Sequence, residues 1–177
     1  MGSTSQYDLS VTWKCYPLEQ INNDDENFKL WEQPEDYQSR GLAALLGFQA
    51  ALLQEQDSFD AFHLKLLKLR HEEDRELSQT DTILEAAEYA RFDLDKFKKD
   101  MADSSLRDKI KEEYQEGHKN YGAFGVPTIV FDNGEAIFVK LASIPEGETA
   151  VDLLKSLHHL TLNHSYLQEI KKPVPSA

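Results

Sequence analysis

The sequence predicts an α/β domain in which a block of helices separates an early strand from a late β-hairpin. Three observations predict it. Residues 7–15 alternate between apolar and polar side chains. Residues 36–120 carry helical periodicity punctuated by caps. Residues 128–139 read as two short strands around Asp132, Asn133 and Gly134. A last amphipathic stretch follows, so the order is strand, helices, hairpin, helix.

In the early strand, Tyr7, Leu9, Val11, Trp13 and Cys15 share one face. Asp8, Ser10, Thr12 and Lys14 share the other, and Pro17 ends the run. The polar stretch "EQINNDDENFKLWEQPED" reads as a loop with Trp31 as its anchor.

The helical block opens with "SRGLAALLGFQAALLQEQ", apolar almost all round and therefore a buried central helix. Asp57 or Ser58 is placed to cap the next helix, in which Phe59, Phe62, Leu66 and Leu69 form a stripe. Thr80 or Asp81 is placed to cap "TILEAAEYA", and Asp93 a short helix over residues 94–101. "SLRDKIKEEYQEGHKNYG" is long and charged, with Gly122 as its stop.

In the hairpin, residues 128–131 and 136–139 are strand formers around an Asn-Gly turn. The closing helix, within "PEGETAVDLLKSLHHLTL", sets Val151, Leu154, Leu157 and Leu160 on one side, before a short tail element "HSYLQEIKKP".

Bulk properties narrow the function. At 177 residues the chain can build a substantial core. A net charge of −13 argues against nucleic acid and anionic membranes as partners. The longest apolar run, near residues 42–53, is too short to span a bilayer, and the start "MGSTSQYD" has no apolar leader region. With Cys15 as its one cysteine the chain forms no internal disulfide, which fits a reducing, cytoplasmic setting.

Reactive motifs are few. His63, His71, His118, His158, His159 and His164 lack metal-ligand spacing and read as surface or boundary residues. "HEEDRE" lacks the alternation of a calcium loop and reads as a solvated charge run. Cys15, beside Trp13 and Val11 on the apolar face, reads as a small buried hydrophobe. The remaining candidate is Gly125, Val126, Pro127 and Thr128. A proline cannot donate to a ladder, so Pro127 has two readings. It is an edge-strand proline entering a hairpin. Alternatively it makes a cis-Pro loop that turns the Val126 carbonyl and amide outward to pair with an extended substrate.

"FGVPTIVFDNGEAIFVKL" resembles the cis-Pro strand and following strand of the DsbA-like thioredoxin-fold superfamily. "WKCYPLEQINN" with "KLWEQP" resembles the second strand and the loop after it in one bacterial branch. "RGLAALLGFQAALLQEQ", "FHLKLLKLRHEED" and "LQEIKKP" resemble that branch's helical insert and tail. The likeness runs from Tyr7 to Pro173. It implies one thioredoxin-like α/β domain over residues 1–177, with a DsbA-type helical insertion at about 36–120 and core at about 7–16 and 121–162. Relatives open with a strand and a Cys-Pro-Trp-type or serine motif on the first helix. Only six residues precede Tyr7, so the fold is expected to be N-terminally truncated, and no catalytic residue is assigned.

The resemblance implies a thiol oxidoreductase, or a truncated form of one, acting on disulfides, thiol adducts or small electrophiles. Residues 125–128 would hold the substrate, a small-molecule thiol or a peptide. No tightly held cofactor is expected beyond a low-molecular-weight thiol of the glutathione or mycothiol kind, and no metal. A non-catalytic binding module and a glutathione-dependent isomerase are the alternatives. A sheet lacking a central strand would bare edges, so self-association, as a homodimer, is also expected.

Overall fold

A computed structural model of the chain describes residues 9–54 and 56–171, with the side chains of Gln56 and Asp57 excepted. Seven α-helices and one hairpin are present among these residues: α1 (Leu18–Ile21), α2 (Leu42–Ala51), α3 (Gln56–His71), α4 (Thr80–Tyr89), α5 (Leu94–Met101), α6 (Ser105–Tyr121), β1 (Thr128–Val130), β2 (Ala136–Phe138) and α7 (Gly147–Asn163). The chain divides into two compact units, Met1–Tyr114 and Gln115–Ala177.

The first unit holds the core. Helix α2 is buried on nearly every side, as its composition dictates, and α5, α4 and α3 pack around it. The α3 stripe is buried at all four positions, Phe59, Phe62, Leu66 and Leu69. Phe62, Phe92 and Phe97 meet pairwise at 5.4–5.6 Å between ring centroids, the offset and edge-on range that aromatic rings favour. Asp93 caps α5 by accepting hydrogen bonds from the amides of Asp95 and Lys96. The "HEEDRE" run is exposed or half-exposed and ion-paired: Lys65 reaches Glu73 and Glu85, and Arg75 reaches Glu85.

The second unit carries the end of α6, the hairpin and α7. Helix α6 stops at Gly122, where φ is +63°. The strands pair antiparallel, with Thr128 opposite Phe138, Ile129 opposite Ile137 and Val130 opposite Ala136. The Asn133 side chain closes the turn by accepting from the Glu135 amide at 3.0 Å.

Several expectations are corrected. Residues 9–15 are not a strand, because no described segment supplies a ladder to pair with; Tyr7 and Asp8 lie outside the described residues. Within the same run only Cys15 is buried, while Leu9, Val11 and Trp13 are exposed. The loop expected after Pro17 contains α1 and a 3-10 turn over Leu30–Glu32. Trp31 anchors it with its ring 5.5 Å from that of Tyr114, and the neighbouring Leu30, fully buried, is a second and deeper anchor.

Helix α3 begins at Gln56, so Ser58 lies inside it, and Asp57's side chain lies outside the described set. Helix α4 begins at Thr80, so Gln79 occupies the cap position and makes no side-chain bond there. Phe131 and Val139 fall just beyond the strands, so five residues, 131–135, separate β1 from β2 where four were expected. The α7 stripe is only half covered, and Val151 is exposed. The expected tail element is, over its described residues, a turn at Ser165 and Tyr166 followed by irregular chain to residue 171.

Candidate functional site

The segment entering β1 is built on a close approach. Gly125 is buried, and a Cβ there would lie 3.0 Å from Phe138 Cε2. Glycine therefore lets the Phe138 ring lie directly over the backbone. The Phe124 ring leans on the same Phe138, centroids 5.0 Å apart, yet Phe124 is 67% exposed. The Val126–Pro127 peptide bond is cis. Thr128 Oγ1 donates to the Gly125 carbonyl at 2.8 Å, and the Val139 amide donates to the Pro127 carbonyl at 3.1 Å. These two bonds fix the loop on either side of Val126. The Val126 amide and carbonyl themselves bond to no described residue, and its side chain is exposed.

The structure thus gathers Gly125, Val126, Pro127 and Thr128 into one turn at the mouth of β1. Phe124 and Phe138, which the sequence did not single out, pack against that segment. An aromatic residue directly before Gly-Val-Pro is the signal that could have named Phe124.

Cys15 is placed elsewhere, in the first unit, 4% exposed. Its backbone amide donates to Glu113 Oε2 at 2.6 Å. The Gln49 amide nitrogen donates to Cys15 Sγ at 3.4 Å and to Glu113 Oε2 at 2.8 Å. Burial is the largest influence on the thiol and pushes it far above its ordinary pKa. The Gln49 hydrogen bond pulls against that rise, and Glu113 reinforces it. A thiol so held has a negligible thiolate fraction at neutral pH and is a packing group rather than a nucleophile.

Beside Cys15 an open cleft of about 360 Å³ runs between Trp13, Leu52, Phe59 and Glu113, but Cys15 does not line it. Among the described residues no three histidine, cysteine or carboxylate side chains come together as metal ligands.

Residues 11–149 match a family model described as thioredoxin. No curated protein matches the chain. The match takes in the helical block, the turn at Pro127 and both strands, and on that basis the chain belongs to the thioredoxin family, with a thioredoxin-like α/β fold and a helical insertion.

Proposed function

We propose that this chain is a DsbA-like member of the thioredoxin family that holds disulfide, thiol-adduct or small electrophilic substrates at residues 124–128. The observation that carries the reading is the Val126 backbone. Val126 is exposed as a residue, its amide and carbonyl are unpaired among the described residues, and it stands two residues before β1. An extended peptide, or the backbone of a glutathione- or mycothiol-like thiol, can bond to such groups as an added strand. Phe124 supplies apolar surface beside them. The reacting sulfur comes from a group other than Cys15, which is buried and un-ionised. A cytoplasmic setting suits a chain with one reduced thiol. Its charge of −13 gives no basic footprint for nucleic acid, and no described helix is long and apolar enough to cross a membrane.

The test is a titration of the isotope-labelled chain with reduced glutathione and with an extended cysteine-containing peptide, followed by amide NMR. Shifts are expected at Val126 and Thr128, and Phe124→Ala should weaken them. Shifts confined to other parts of the chain, or none at millimolar ligand, would remove the reading. The buried state of Cys15 favours a second reading, a binding module without turnover, which the same titration would support if no turnover accompanies binding.

A further inference from the structure

Residues 9–13 run without turn or bend, and none of them shares a backbone hydrogen bond with another described residue. Leu9, Val11 and Trp13 are 58%, 50% and 43% exposed. The stretch is nonetheless anchored at its end. The Trp13 ring rests on His63, centroids 4.6 Å apart, and the Cys15 amide is held by Glu113. An anchored, straight segment with open backbone groups and an apolar row is a template for another strand.

We propose that its occupant is the same segment of a second copy, paired antiparallel about a two-fold axis through Val11. The sequence is self-complementary in that register. Val11 meets Val11, Leu9 meets Trp13, and Ser10 meets Thr12, so apolar residues face apolar and polar face polar. A shift by one residue sets Leu9 against Lys14 and Val11 against Thr12, mixing the two faces.

The direction is selected by what a parallel pair would cost: in register it would set Lys14 against Lys14, like charges, which the antiparallel register about Val11 avoids. The contact is isologous and closes on itself, so the assembly stops at a dimer.

Light scattering on the full chain is expected to give twice the chain mass at high concentration, falling toward the monomer on dilution. In the Val11→Cys variant the new thiols face each other across the axis, within disulfide reach. In Leu9→Cys they are displaced by four residues, roughly 14 Å, beyond it. Under mild oxidation the Val11 variant should cross-link at least about tenfold faster. Val11→Lys places like charges on the axis and should leave a monomer with an unchanged circular dichroism spectrum. A parent chain that stays monomeric at every concentration overturns the proposal, as do equal cross-linking rates at the two positions or a Val11→Lys dimer.

Discussion

His63 is enclosed by rings: Trp13 at 4.6 Å, Phe48 at 5.6 Å and Phe59 at 5.8 Å between centroids. Its Nε2 is buried with no hydrogen-bond partner. Burial holds its pKa below the ordinary 6.5, against a smaller upward pull from Asp60. The sign of the linkage follows. Above pH 6.5 neither the folded nor the unfolded chain carries this proton, and stability is undiminished. As pH falls through that value the unfolded chain takes the proton first, so stability drops until the folded pKa is passed. Urea melts between pH 7.5 and 5 should therefore show a smaller loss for His63→Phe than for the parent, since that change removes the titrating group and keeps an aromatic ring. Identical losses would mean that His63 titrates alike in both states.

Among the elements, α2 and α4 approach so closely that a side chain is excluded between them. A Cβ on Gly47 would lie 2.5 Å from Cγ2 of Ile83, which is itself fully buried. Gly47→Ala gains about 1 kcal/mol of helix propensity. The clash with a buried branched side chain costs about 1–3 kcal/mol, and its neighbours Phe62 and Met101 also stand near that point. A net loss of stability is expected, read as a lower urea midpoint with an unchanged slope. A raised midpoint would show that the two helices part easily.

For the whole molecule the thiol count decides the chemistry. Cys15 is the one cysteine, and it is buried. A dithiol–disulfide cycle within one chain needs two thiols, at least one of them reactive. Insulin reduction by this chain should match buffer. Turnover that disappears in Cys15→Ser would make Cys15 a catalytic residue and would require the first unit to open around it.

The sequence by itself determined what is local. The extents of α5 and α6, the Asp93 cap, the α3 stripe and the hairpin at Asn133 and Gly134 follow from side-chain periodicity and turn chemistry, which act within a few residues. It also singled out residues 125–128, because a proline at the entry to a strand has few uses.

Only the tertiary structure decided what depends on a partner distant in sequence. Residues 9–15 have the period of a strand, but a strand exists only where a second one completes its ladder. Phe138 fell on Gly125, His63 among three rings and Glu113 on the Cys15 amide because separate elements were packed together. The α7 stripe has the pattern of a covered face and is only half covered, because amphipathicity names the face and leaves its cover unspecified.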